Sequence, residues 1–176
     1  METSPKMIEA AVGFGGNLGN RLAYLTASLR MILDIPGVEL IAKSAVYETE
    51  PVDVPPEFAD KSFVNSVAIF AVPASMPVEE WSSRLHSIEG DLMRTRSRIP
   101  NTPRTIDLDL LYFGDTISDE PHLRLPHPQI ASRRFVCQPL SDLRSDLILP
   151  SQTKSVSQHL AALPLTPTVS FLTEEW

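Results

Sequence analysis

VELIAKSAVYETEPVDVPPEFADKSFVNSVAIFAV, residues 38–72, carries two strand patterns with no helix between them. From Val38 to Thr49 the period is near two, with Val38, Leu40, Ala42 and Val46 on one face and Glu39, Lys43 and Tyr47 on the other, as in a half-buried strand. Glu50 to Lys61 has no period and contains Pro51, Pro55 and Pro56, so it reads as a long loop of the kind that carries function. Ser62 to Val72 forms the next strand.

Toward the N-terminus, Ile8 to Phe14 is a short apolar run that enters a glycine cluster, Gly13, Gly15, Gly16 and Gly19, read as a strand running into a tight loop. Leu18, Leu22, Leu25, Leu29 and Leu33 then recur at helical spacing, with Asn17 or Asn20 as the cap and Asp34 to Gly37 as the stop. Toward the C-terminus, Pro73 and Pro77 bracket a helix start with Ser75 as its expected cap. Glu79 and Glu80 suit the positive end of the helix, and Val78, Trp81, Leu85, Ile88 and Leu92 form its apolar stripe. Arg94 to Pro103 loses helical spacing, and Arg104 to Phe113 alternates again, with Ile106, Leu108 and Leu110 inward and Asp107, Asp109 and Leu111 outward. The order β-α-β-β-α-β predicts an α+β, ferredoxin-like two-layer sandwich. A C-terminal hairpin follows, then a segment from Gln129 to Leu143 that Pro139 is expected to keep from being one long helix, and a short helix from Ser155 to Leu163. A single domain over residues 8–163 is expected, with loose tails at 1–7 and 164–176.

A chain of 176 residues that is 43% hydrophobic can bury a core without disulfides or a structural metal. The formal charge of −7 argues against a surface built for nucleic acid. The start has no apolar signal region and no stretch approaches a membrane span, so a cytoplasmic protein is expected. Cys137 is the single cysteine, and the four histidines show no paired metal spacing. The 16 prolines are in excess and the 7 glycines are few, so where each kind sits is informative.

Asp107 and Asp109 leave the same strand face with Cα atoms about 6 to 7 Å apart, twice the rise of ~3.3 Å. That spacing suits one or two Mg²⁺ whose shells are completed by phosphate oxygens, although a bare pair of this kind is more often a solvated strand face. The surrounding charge favours the metal reading. Arg94, Arg96, Arg98, Arg104, Arg124, Arg133 and Arg134 are seven of the 15 basic residues and face five acids between positions 94 and 134, so this segment is positive within an acidic chain. Guanidinium groups hold phosphate with paired donors. The glycine cluster matches neither a P-loop, which needs a lysine, nor a dinucleotide fingerprint, which needs glycine at Leu18. Asn65 shares a face with Phe63, an amide beside an aromatic ring that would suit a flat heterocycle; a structural hydrogen bond is the simpler reading of that residue. His127 is held between Pro126 and Pro128, with an exposed turn histidine as the plain alternative.

GGNLGNR (15–21), YETEP (47–51), FVN (63–65), PRTIDLDLLYFG (103–114), LPHP (125–128) and RRF (133–135) occur in this order, and together they resemble 6-hydroxymethyl-7,8-dihydropterin pyrophosphokinase of folate biosynthesis. PRTIDLDLL is the specific element. The resemblance implies a transferase that moves pyrophosphate from MgATP to the pterin hydroxymethyl group and releases AMP. It implies two Mg²⁺ on Asp107 and Asp109, and Arg94 and Arg104 stabilising the transferred group. ATP would be contacted by Glu89, Arg94, Arg96, Arg104, His127 and Arg133, and pterin by Asn17, Thr49, Val52, Phe63, Asn65 and Phe135. A monomer with small-molecule partners, without nucleic acid or membrane, is expected. The sequence departs from the family at Gly16, at Asp53, at Asn101 and Thr102 where a Trp-Gly pair is usual, and at Pro128 in place of a tyrosine. Two other readings stay open: a non-catalytic pterin or nucleotide-binding relative, and a two-metal nucleotidyl cyclase or palm-type enzyme.

Overall fold

The computed structural model describes residues 4–51, 53–92 and 105–176. The glycine-rich start is mostly strand: β1 (Met7–Gly16) runs antiparallel to β4 (Phe63–Pro73) on one side and to β5 (Asp107–Phe113) on the other. Of the four clustered glycines only Gly19 turns the chain, with φ of 68°. α1 (Arg21–Leu33) follows, and Asn20 is its cap, accepting the Ala23 N–H at 3.1 Å. Leu25, Leu29 and Ile32 are its buried stripe, whereas Leu18 and Leu33, at the ends of the expected stripe, are exposed.

The expected strand from Val38 to Thr49 is two strands, β2 (Glu39–Lys43) and β3 (Val46–Thr49), which pair with successive parts of β4. Ser44 breaks the run. Its hydroxyl accepts the Val67 N–H at 2.9 Å and meets Ser66 Oγ at 2.9 Å, so side-chain bonds replace the ladder there. A register shift between Leu40 and Ala42 turns Leu40 outward, and it is exposed although the alternation placed it inside.

α2 (Val78–Asp91) starts after Pro77, which is its cap residue in place of the expected Ser75; Glu79 and Glu80 lie in its first turn. Trp81, Leu85 and Ile88 are buried, and so is Glu89. Together α1 and α2 cover one face of the sheet over Ala10, Val12, Phe14, Val64, Ala68, Phe70, Ile106, Leu108 and Leu110.

The opposite sheet face is half covered. A short hairpin, β6 (Ser118–Glu120) and β7 (Leu123–Leu125), leads to a 3-10 turn at Pro128–Ala131 and then to α3 (Arg134–Arg144) and α4 (Val156–Ala162). Pro139 sits inside α3 without ending it. Proline removes one intrahelical donor, and here its buried ring stays on the packed side of the helix next to Leu140. Val136, Cys137 and Leu140 pack on Ala11, Val67, Ile69, Leu111 and Tyr112 as a second core. A bulge between Ala11 and Val12 lets Leu111 and Tyr112 both face this layer. Cys137 is a buried thiol whose pKa is pushed up to about 11 by burial.

The segment from 164 onward, expected to be loose, returns to the sheet. β8 (Val169–Thr173) pairs antiparallel with β3. The Trp176 ring meets Phe14 edge-on at 5.1 Å, and its indole N–H donates to the Ser44 carbonyl at 2.8 Å. Lys43 lies over that ring, 4.9 Å from its centre, and donates to the Trp176 carbonyl. Two half-buried aromatic and cationic anchors are what hold a segment whose own sequence is short of apolar period.

Candidate active site

The sheet face left open by α3 and α4 is the floor of a cavity of about 420 Å³. Strand parity builds it. Side chains alternate across a strand, so the inward set on β5 (Leu108, Leu110) turns Asp107 and Asp109 to the opposite face, where both are half-buried and line the cavity. On β1 the matching positions are Gly13 and Gly15, where the floor is bare backbone. A Cβ at Gly15 would come within 3.2 Å of Asn65 Oδ1, so the absence of a side chain there leaves room for that amide.

Asn65 and Thr49 form the neighbouring wall. Both are buried, and Asn65 Nδ2 donates to Thr49 Oγ1 at 3.0 Å, which orients the amide oxygen toward the Gly15 side. Phe63, the strand partner of Thr49, lines the cavity beside it, and Phe135 also lines the cavity. An amide, a hydroxyl and aromatic rings lining one cavity are suited to a planar ring with hydrogen-bonding edges.

At the other end, the 127–129 turn reaches over the acidic pair. The His127 N–H donates to the Leu111 carbonyl at 2.8 Å, and its Nδ1 accepts the Gln129 N–H at 3.2 Å. Burial lowers the His127 pKa, and the Asp107 charge only partly opposes it. The ring is therefore neutral near pH 7, and with Nδ1 occupied as an acceptor its Nε2 is left as a donor. Arg133 also lines the cavity.

Glu89 reaches the site from the C-terminal end of α2. It is almost fully buried, and its Oε1 accepts the Leu108 N–H at 2.7 Å, midway between the two aspartates. The alternation of apolar residues gave no sign of this bond, and the buried carboxylate fixes the strand that carries Asp107 and Asp109. Thr105, beside β5, donates to the Leu92 carbonyl at 3.0 Å and ties together the two ends of the connection between α2 and β5.

Of the expected site residues, Thr49, Phe63, Asn65, Glu89, Asp107, Asp109, His127, Arg133 and Phe135 line this one cavity. Asn17 is buried but is not among the lining residues. Val52, Arg94, Arg96 and Arg104 lie outside the described residues, as do Arg98, Asn101 and Thr102. The basic cluster read from the sequence is divided in the structure. Arg133 faces the cavity, whereas Arg134 caps the end of α4 through the carbonyls of Leu160, Leu163 and Pro164, and Arg124 is exposed on the hairpin. His86 and Gln129 also line the cavity and carried no signal in the sequence.

The family model described as 7,8-dihydro-6-hydroxymethylpterin-pyrophosphokinase (HPPK) matches residues 11–145. The chain belongs to the HPPK family. It is 35% identical over 154 residues to the 2-amino-4-hydroxy-6-hydroxymethyldihydropteridine pyrophosphokinase of Pseudomonas aeruginosa, covering 87% of this chain and 90% of that one. It is 31% identical over 165 residues to the folic acid synthesis protein fol1 of Pneumocystis carinii, and there spans only 21% of the relative's length. Among solved structures, an HPPK-DHPS in complex with substrates superposes with a TM-score of 0.69 at 12% identity, over 89% of this chain and 44% of that one, a likeness of fold. This HPPK chain therefore corresponds to nearly the whole of the bacterial relative and to one part of the longer ones. No helix among the described residues is long and apolar enough to cross a membrane.

Proposed function

We infer that this HPPK chain transfers pyrophosphate from MgATP to the hydroxymethyl group of 6-hydroxymethyl-7,8-dihydropterin and releases AMP. The observation that carries this reading is the joining of two unlike half-sites on one open sheet face. The slot of Thr49, Asn65, Phe63 and Phe135 suits the pterin ring, and it is continuous with the end where Asp107, Asp109, His127 and Arg133 suit a triphosphate.

The carboxylates fit magnesium. Both are hard oxygen donors on one face and both line the cavity, while among the described residues no group of three or more His, Cys, Asp or Glu forms a closed cage. Such an open pair suits an ion that keeps several waters and arrives on phosphate oxygens. Bound there, Mg²⁺ supplies charge neutralisation across the polyphosphate; we propose two ions. The other contributions come from the chain itself. His127 donates from a neutral ring, Arg133 offers paired donors, and Glu89 holds the Leu108 amide so that the aspartates keep their spacing. In the same proposal Arg94, Arg96 and Arg104 complete the phosphate contacts, and Asn17 and Val52 the pterin pocket.

Chemically, the alcohol oxygen attacks the β-phosphorus, the bond from that phosphorus to the bridging oxygen of the α-phosphate breaks, and the hydroxyl proton passes to water. A primary alcohol is a weak nucleophile, so alignment and charge stabilisation supply most of the acceleration. Incubating the chain with MgATP and the hydroxymethyl dihydropterin should yield AMP and the pterin diphosphate in equal amounts. Production of ADP alone, or nucleotide turnover indifferent to pterin, would reject this function. The expectations of a cytoplasmic monomer are tested by fractionation and by sedimentation.

A further inference from the structure

The guanidinium of Arg21, the first residue of α1, joins the two segments that lead into and out of the long β3–β4 connection. Its Nη1 donates to Glu48 Oε2 at 2.8 Å, to Ser62 Oγ at 3.0 Å and to the Ser62 carbonyl at 3.2 Å. Glu48 lies in β3 and Ser62 immediately precedes β4. The next residue of each, Thr49 and Phe63, form the last rung between the two strands, and both line the cavity. Because side chains alternate, Glu48 on the helix-covered face places Thr49 on the cavity face. Arg21 thus acts from behind the sheet, one residue away from two walls of the slot.

A half-exposed ion pair of this kind adds little to global stability. Its geometry matters more here. One rigid, permanently charged donor with three acceptors on two separate segments fixes the distance between them. Thr49 also accepts the Asn65 amide at 3.0 Å, so a shift of the end of β3 would release that wall too.

We propose that Arg21 is a positioning residue for the pterin slot, setting the separation of Thr49 and Phe63 by pinning Glu48 and Ser62 together. The inference rests on the pyrophosphokinase reading for the identity of the ligand. Among the described residues, the groups proposed for the phosphates, Asp107, Asp109, His127 and Arg133, come from β5, the 127–129 turn and the residue before α3, so the effect is expected to be selective for the other substrate.

Steady-state kinetics and pterin calorimetry with an unreactive ATP analogue, on Arg21→Ala, Arg21→Lys and Glu48→Gln, test it. For Arg21→Ala the KM and Kd of 6-hydroxymethyl-7,8-dihydropterin should rise about tenfold, the loss of roughly one charge-assisted set of bonds. The KM for MgATP should stay within about twofold. Arg21→Lys, which keeps the charge on a flexible stem, should recover only part of the loss, and Glu48→Gln, which keeps an acceptor, should shift the pterin constants in the same direction and less, even where Arg21→Ala folds poorly. A lowered melting temperature with an unmoved pterin KM and Kd, or equal shifts for both substrates, would overturn the positioning role while leaving the enzyme reading in place. A wild-type chain that binds no pterin and forms no AMP would overturn both.

Discussion

Asp107 and Asp109 are distinguished from the other acids of a −7 chain by what stands behind them. Leu108 between them is buried in the helix-side core, and its amide is held by the buried carboxylate of Glu89. Outer partners of metal ligands commonly contribute ~10- to 100-fold, so removing a ligand itself should cost at least ~100-fold. Asp107→Ala or Asp109→Ala should therefore lower AMP release by that much with an unchanged circular dichroism spectrum; near-normal turnover would remove either residue from the metal role. Glu89→Ala should act on stability as well, because it leaves the Leu108 N–H unsatisfied at a cost of ~1 to 3 kcal/mol. Glu89→Gln, retaining an acceptor, should cost less, and urea midpoints separate the two. His127 gives a pH signature. Its folded pKa lies below the ordinary ~6.5, so the unfolded chain binds the extra proton first, and stability falls as pH drops through the interval from ~6.5 to the lowered folded value. His127→Gln should remove that part of the slope as the pH falls below about 7 in unfolding titrations; parallel curves would show that the ring titrates freely.

Among the elements, those with long regular patterns were the ones legible in the sequence. The alternation from Ile106 to Leu110 placed both aspartates on one face, and the helical stripe of Trp81, Leu85 and Ile88 located α2. What escaped was set by contacts distant in sequence. Ser44 divides β2 from β3 through bonds to Ser66 and Val67, Pro139 is carried within α3 by packing, and Glu89 lies among apolar residues because its partner is a strand amide. The three glycines within β1 look like a loop from composition alone, yet two of them are cavity floor. The return of β8 is the largest case, since its anchors, Phe14 and Ser44, lie far along the chain from Trp176. Complete burial of a tryptophan is worth ~3 to 5 kcal/mol on truncation, so for the half-buried Trp176 the change Trp176→Ala should cost ~1 to 3 kcal/mol. Phe14 lies in β1, one residue from the floor position Gly15, so the loss should also loosen the slot. An unaltered urea midpoint would show that β8 is held by its ladder alone.

At the scale of the whole molecule, charge sets a condition on substrate binding. ATP is a polyanion, the chain is acidic, and the cavity is lined by four acidic residues, Glu50, Glu89, Asp107 and Asp109, against Arg133, the one lysine or arginine among the described lining residues, and the neutral His127. Low-dielectric surroundings strengthen that repulsion. The nucleotide and the acidic floor should therefore associate only through a divalent ion, and ligation should appear as stabilisation. A ligand at about 100 times its Kd adds ~2.7 kcal/mol, which for a domain of this size raises the melting temperature by about 5 to 10 °C. MgATP should give such a rise, whereas ATP with chelator should give almost none. Replacing both Asp107 and Asp109 by Asn should remove part of the repulsion together with the ion's ligands, so the shift with MgATP should shrink and that with ATP alone should grow. Equal stabilisation of the unaltered chain by ATP with and without Mg²⁺ would mean that basic side chains alone neutralise the phosphates, and that the paired carboxylates face the cavity for some purpose other than holding a metal.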